Sequence, residues 1–263
     1  MIKKRIIFAL LYQDGYFYLS RNFKLQKVGD LNWLTNNFGF GVTSNHIDEL
    51  ICLLVKKQPT QKDKNLFLKD INELRRKIFI PITLGGGIRS LNDVTNFFNN
   101  GADKILLNSS IFKKNFTKEI SEIYGEQSIS IMIDYLIDEN NEDKIMINCG
   151  TKFTMNLKNF FNNMNGIKFG EIIFNSIEND GTGNGLDLNL IKKIPKNWKK
   201  KPILLMGGAG KPEHIAEALK LKNVSGIITA NLFNFLGTGL QKSRKKSISS
   251  NINLADFSSS IKL

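Results

Sequence analysis

Short apolar runs recur along the chain at residues 5–11, 50–55, 79–84, 104–107, 128–134, 171–175, 202–206 and 226–230, with longer amphipathic stretches between most of them. Runs of this length, apolar at nearly every position, are the mark of strands buried on both faces, and intervening helices imply a parallel sheet. Eight such units predict an α/β fold, a (βα)8 barrel.

The pattern repeats within the chain. LGGGIRS begins at residue 84 and MGGAGKP at 206, and Gly85 and Gly207 stand 122 residues apart. Glu49, ahead of LICLLV, and Glu171, ahead of IIF, keep the same 122, while Asn108 and Asn231 are offset by 123. Shifting RIIFALLYQDG by 123 lays Leu11 on Asp134. A full-length internal duplication predicts one barrel over residues 1–240, built from half-barrels of about 1–122 and 123–240. Residues 241–263, rich in Ser and Lys, read equally as a basic tail or a final helix.

Local signals fit this register. Ser90 is an N-cap before LNDVTNFF, Gly101 ends that helix, and Pro212 suits the first turn of PEHIAEALKL. Residues 12–29 and 135–152 predict long loops after strands one and five, and long βα loops on this fold wall or cover active sites.

Composition changes the picture little. The net charge of +13 comes from scattered lysines whose dense cluster, residues 192–202, sits in a connection, so it predicts a solvated surface attractive to small anions, not a nucleic-acid site. Neither an apolar run long enough to span a bilayer nor a secretory leader is legible, which predicts a cytoplasmic protein. Cys52, Cys149, His46 and His214 show no metal-ligand or redox spacing; Cys52, within an apolar run, predicts a buried structural thiol. No cofactor is implied.

The glycine clusters carry the chemistry. Each follows a predicted strand and precedes a predicted helix, a geometry in which backbone N–H groups face an anion. Gly85, Gly86 and Gly87 with Asn108 and Ser109 predict one phosphate site. Asp180, Gly181, Gly207, Gly208, Ala230 and Asn231 predict a second across the barrel mouth. One such loop alone would read as turn geometry, but two in symmetric positions imply a ligand with a phosphate at each end.

Taken together, KRIIFALLYQDG, HIDEL, IPITLGGGIRS, GADKILLNSS, GEIIFNSIENDGTGNGLD, GGAGKPEH and TANLFNF resemble the HisF family over nearly the full chain. HisF is the cyclase subunit of imidazole glycerol phosphate synthase. The resemblance implies a barrel that receives ammonia from a HisH glutaminase docked at its N-terminal face. The ammonia then cleaves and cyclises a bis-phosphorylated imidazole precursor. The phosphate positions coincide with the family's two sites, with Asn231 in place of a serine.

The family's reaction uses two aspartates, because amine attack and ring closure need a proton removed at one atom and delivered at another. One matches Asp134. The other falls on Leu11, and a family lysine and aspartate fall on Leu19 and Leu54. Asp14 is the nearest acid to Leu11, although the family has its own aspartate there. The ammonia gate is matched by Arg5, Glu49, Lys104 and Glu171, and Asp103 matches a glutaminase-facing residue. Strand-entry charges can also simply cap a barrel floor; four at matching positions favour a gate.

Retained gate residues with a lost acid predict a barrel that conducts ammonia, without cyclase chemistry, from a HisH-like glutaminase to a sugar amidotransferase forming acetamidino groups on surface sugars. A working cyclase of histidine biosynthesis is the alternative. A regulatory module that senses a phosphorylated metabolite is a third reading.

Overall fold

The computed structural model describes residues 3–36, 44–230 and 238–257. Eight parallel strands close on themselves: β1 (Arg5–Gln13), β4 (Glu49–Leu54), β5 (Ile82–Gly85), β6 (Lys104–Leu107), β7 (Ile129–Ile137), β10 (Glu171–Ser176), β11 (Ile203–Met206) and β12 (Val224–Thr229). The β12–β1 and β6–β7 ladders join the two halves, and the β7–β10 ladder closes the second half, so the barrel leaves no open edge in its ring of strands. The fold is a (βα)8 barrel.

Helices α1 (Leu31–Asn36), α2 (Gln61–Arg75), α3 (Leu91–Asn99), α4 (Phe116–Tyr124), α5 (Leu157–Asn163), α6 (Leu190–Lys193), α7 (Pro212–Lys220) and α8 (Gly239–Ser249) follow the strands in turn. Their starts are written locally. Thr60 and Ser90 each form a reciprocal capping box with an aspartate three residues on, and Pro212 opens α7. Residues 239–249 form a helix rather than a frayed tail, because Arg244 is buried among partners. It donates to Asp48 Oδ2 at 2.7 Å and to the carbonyls of His46 and Ala255 at 3.1 and 2.8 Å.

The expected long loops are hairpins. β1 runs on to Gln13, turns at Asp14–Gly15, and pairs with β2 (Tyr16–Arg21), which turns at Asn22–Phe23 into β3 (Lys24–Gly29). Both turns have two residues at positive φ, 50° and 85° in the first and 50° and 62° in the second, the geometry that matches strand twist. Phe23 tolerates that backbone because Asp180 Oδ2 accepts its N–H at 3.0 Å and Asn22 Nδ2 grips the Glu178 carbonyl at 2.7 Å. On the other half, β8 (Asp143–Ile147) and β9 (Lys152–Asn156) extend β7 as a second hairpin. The third strand also starts later than its apolar run suggests, leaving Phe79 98% exposed.

Strand alternation divides the core in two. Outward residues such as Phe8, Leu10, Cys52, Ile105 and Phe174 pack under the helices, and there Cys52 is a buried free thiol. Inward residues form a separate cluster of Ile7, Ala9, Leu11, Ile51, Leu53, Leu106, Met132, Ile173, Leu204, Met206 and Ile228. Register aligns the halves: Leu11 pairs with Leu53 as Asp134 pairs with Asn175, so Leu11 and Asp134 occupy equivalent rungs.

The glycine clusters align one residue away from the sequence match. Gly85 pairs with Leu53 where Met206 pairs with Asn175, so Gly86 corresponds to Gly207 and Gly87 to Gly208. The contacts agree, since a Cβ on Gly86 would meet the Leu54 carbonyl oxygen at 2.2 Å and one on Gly207 the Ser176 oxygen at 2.5 Å. Likewise Leu106 and Ile228 share a rung through Gly85 and Met206, which sets Ala230, not Asn231, opposite Asn108.

Gly86 at φ 88° with that carbonyl beneath it has no room for a side chain. Gly86→Ala is expected to cost about 2–3 kcal/mol, the scale of backbone strain with a clash, read as a lower midpoint in chemical denaturation.

Candidate functional site

At the barrel floor, strand entry places four charges on inward positions of four strands. Arg5 contacts Glu49 Oε1 at 2.6 Å and Glu171 Oε2 at 2.8 Å; Lys104 contacts Glu49 Oε2 at 2.8 Å and Glu171 Oε1 at 2.9 Å. The result is a closed ring of alternating sign, to which Ser130 Oγ adds a donor on Glu171 at 2.6 Å. Burial works against the charge on Arg5, yet Glu171 and Glu49 raise its pKa; burial likewise opposes Glu171, whose pKa is held down by Arg5 and Lys104. Charges out of water are tolerable in this closed geometry because every one meets two of opposite sign. Asp103 lies beside this floor, exposed, with one carboxylate oxygen accepting the Ile82 N–H at 2.8 Å.

Above the ring the interior is apolar for two rungs except at Thr83, buried in the rung of Ile51. Four residues of strand separate Glu171 from Asn175 and Ser130 from Asp134, about 13 Å at strand rise. Ile7, Ile51, Leu106, Met132, Ile173, Leu204 and Ile228 line that distance.

At the C-terminal ends of the strands the shaft meets a cavity of about 320 Å³ walled by Leu11, Leu53, Met132 and Met206 and bounded by Asn108, Asp134, Asn175 and Asp180. Asp134 is 6% exposed. Asn175 Nδ2 donates to its Oδ1 at 2.9 Å and Asn108 Nδ2 to its Oδ2 at 3.0 Å. Burial nonetheless pushes the Asp134 carboxyl up to about 7, the Asn175 hydrogen bond opposing and the Asp180 charge reinforcing the shift. A carboxyl poised there can hold or release a proton near neutrality.

Leu11 presents only carbon to the same cavity and is 6% exposed. Asp14 does not stand in for it. That residue sits in the β1–β2 turn, bonded to Lys56 Nζ at 2.8 Å and Gln13 Nε2 at 3.0 Å, and it does not line the cavity. Leu54 belongs to the outward cluster while also bordering the cavity, so the three leucines do not share one inward face. Leu19, on β2, borders a second cavity.

The glycine loops flank the mouth. Gly86, Gly87, Asn108 and Ser109 meet Lys56, Lys57, Arg89 and Lys113 at one end of the main cavity. Across the mouth a cavity of about 280 Å³ gathers Gly181, Gly207, Gly208 and Ala230 with Arg21 and Lys24 of the first hairpin. Ser20, Asp180 and Met206 border both cavities. Gly85 is not with them: it ends β5 inside the barrel wall, where a Cβ would meet Leu106 at 2.8 Å. Asp180 is likewise not an anion donor. Its Oδ2 accepts from Ser20 Oγ at 2.5 Å and from Phe23 N–H, clamping the hairpin onto the mouth, and burial raises its pKa. Asn231 lies outside the described residues.

Sequence reading missed the cations and Asn175. Lys56 and Lys57 directly follow a strand, and Asn175 stands at an inward strand end in the rung of Asp134; parity could have singled it out. Arg21 and Lys24 needed the hairpin, whose Asp-Gly turn was a legible signal. No cluster among the described residues could hold a metal ion, and no described helix is long and apolar enough to cross a membrane.

The family model described as "Histidine biosynthesis protein" matches residues 42–238. A protein provisionally named imidazole glycerol phosphate synthase subunit hisF2, from Parasynechococcus marenigrum strain WH8102, is 41% identical over 94% of this chain and 91% of its own length. The HisF subunit of imidazole glycerol phosphate synthase from Staphylococcus saprophyticus is 34% identical over 89% of this chain and 92% of its own. That of Leptospira biflexa is 35% identical over 76% and 79%.

Because the folded Asp134 carboxyl titrates at about 7 against an ordinary 3.8, the folded chain binds more protons than the unfolded one between those values. This contribution to stability is therefore lost as pH rises from about 4 to 7. Asp134→Asn is expected to flatten that slope and to be more stable than the parent at pH 8 by about 2–4 kcal/mol. Denaturation midpoints across pH read the first effect, and a ¹³C carboxyl titration of the parent centred near 7 reads its cause.

Proposed function

The chain belongs to the HisF family, and we propose that within it this barrel serves as an ammonia-conducting subunit whose cyclase chemistry has lapsed. The observation that carries the reading is Leu11, buried at the rung equivalent to Asp134. Proton removal and delivery at two atoms of one bound ligand call for two groups, and one of the two symmetric positions holds a side chain that cannot titrate.

The remainder of the interior supports conduction. Neutral ammonia crosses a largely apolar shaft at little cost, whereas ions and bulk water do not. The floor ring, with Arg5, Glu49, Lys104 and Glu171 in mutual contact, is suited to gate that shaft. On this reading the N-terminal face, including Asp103, docks a HisH-like glutaminase. The nitrogen leaves for a sugar amidotransferase that builds acetamidino groups on surface sugars. Gly86, Gly87, Asn108 and Ser109 on one side, and Gly181, Gly207, Gly208 and Ala230 with Arg21 and Lys24 on the other, hold a ligand bearing two phosphates; such a ligand then acts as a sensor rather than a substrate.

A working cyclase is favoured by one observation: Asp180 is a second carboxylate on the cavity that contains Asp134. Its engagement with Ser20 and Phe23 argues for holding the hairpin instead.

With ammonia and the bis-phosphorylated imidazole precursor, the purified chain is expected to show no turnover while still activating a HisH-like glutaminase on mixing. Leu11→Asp, which restores a second carboxylate, is expected to raise turnover by about 10² or more. Turnover by the unmodified chain that Asp134→Asn or Asp180→Asn abolishes would establish the cyclase instead.

A further inference from the structure

The cavity floor contains a buried acceptor without a donor. Asn175 is 4% exposed, its Nδ2 is committed to Asp134, and its Oδ1 has no hydrogen-bond partner among the described residues. Leaving an amide oxygen in that state costs about 1–3 kcal/mol, so native cores rarely carry one without a use.

Its surroundings say what would satisfy it. Asp134 presents two carboxylate oxygens, each receiving one amide N–H, and an ionised carboxylate has room for more. The neighbouring donor is already spent, since Asn108 Nδ2 also donates to the Met132 carbonyl at 2.9 Å. Beyond these polar groups stand Leu11, Leu53, Leu106, Met132 and Met206. The rung is thus rich in acceptors and poor in donors. With Asp134 ionised, a water placed there would gain partners for its hydrogens and none for its lone pairs. An ammonium ion has only donors to offer, and a largely apolar shaft admits its neutral form.

We propose that Asp134 and Asn175 form a receiving site for ammonia at the head of the shaft, where the nitrogen is held as ammonium between the Asp134 carboxylate and Asn175 Oδ1. The chemistry is a single proton transfer. Neutral ammonia arriving from below takes the proton of the Asp134 carboxyl, breaking its O–H bond and forming a fourth N–H bond. The resulting carboxylate–ammonium pair is neutral overall, and return of the proton releases ammonia to the cavity. This inference rests on the conduit reading and adds to it a station where nitrogen waits.

The test is NMR titration of the ¹³C,¹⁵N-labelled chain with ammonium chloride at neutral pH, with potassium chloride at equal ionic strength as control. The Asn175 side-chain amide and the Asp134 carboxyl are expected to shift saturably with ammonium and not with potassium. Asn175→Leu is expected to weaken the response about tenfold, the value of one buried hydrogen bond. Asn175→Thr, which restores an acceptor, should recover part of it, and the backbone amide spectrum of each variant reports its folding. No saturable shift, an equal response to potassium, or an unchanged response in folded Asn175→Leu would overturn the site. Glutaminase activation on mixing does not depend on ammonium binding, so it tests the conduit reading separately.

Discussion

A closed parallel barrel gives each strand only every second side chain for its interior, and that constraint decides what every level of this protein contains. Positions 5, 7, 9 and 11 of β1 read charge, alkyl, alkyl, alkyl; 171, 173 and 175 of β10 read charge, alkyl, amide. Stacked around the ring, the same alternation yields a charged floor, a largely apolar shaft and a polar head. A one-residue slip on any of the four strands that carry a ring charge would turn that charge out of the ring and toward the helices.

The floor is the most demanding level. Four charges removed from water would be prohibitive singly, and they persist because each finds two partners within 2.9 Å. Such a ring is costly to break at one member and replaceable as a unit. The head makes the opposite arrangement: among the described residues Asp134 has amide donors but no cation in contact, and burial lifts its pKa toward neutrality. Leu11 presents only carbon on the same wall.

The two hairpins set the mouth. The first carries Arg21 and Lys24 to the second cavity and is clamped through Asp180 to the loop after β10. Arg89 of the first glycine loop and the nearby Lys113 join Lys56 and Lys57 at one end, while Arg21 and Lys24, distant in sequence from Gly207, serve the other, which gives the mouth two basic ends about an apolar, weakly acidic middle.

Much was legible in the sequence. The eight strands, the half-chain repeat, the capping residues and the membership of Gly86, Gly87, Gly207 and Gly208 in strand-to-helix turns follow from local chemistry, because apolar runs, caps and glycines act within a few residues. Leu11 was legible too, as the odd member of a symmetric pair. Register across strands was not. It moved the glycine correspondence by one residue, put Gly85 inside the wall, set Ala230 opposite Asn108 and turned Asp180 into a clamp. Neither were the contacts around Asn175. These depend on which side chains meet between strands, and hydrogen-bond pairing and burial between segments from about twenty to more than a hundred residues apart exist only once the ring of strands has closed.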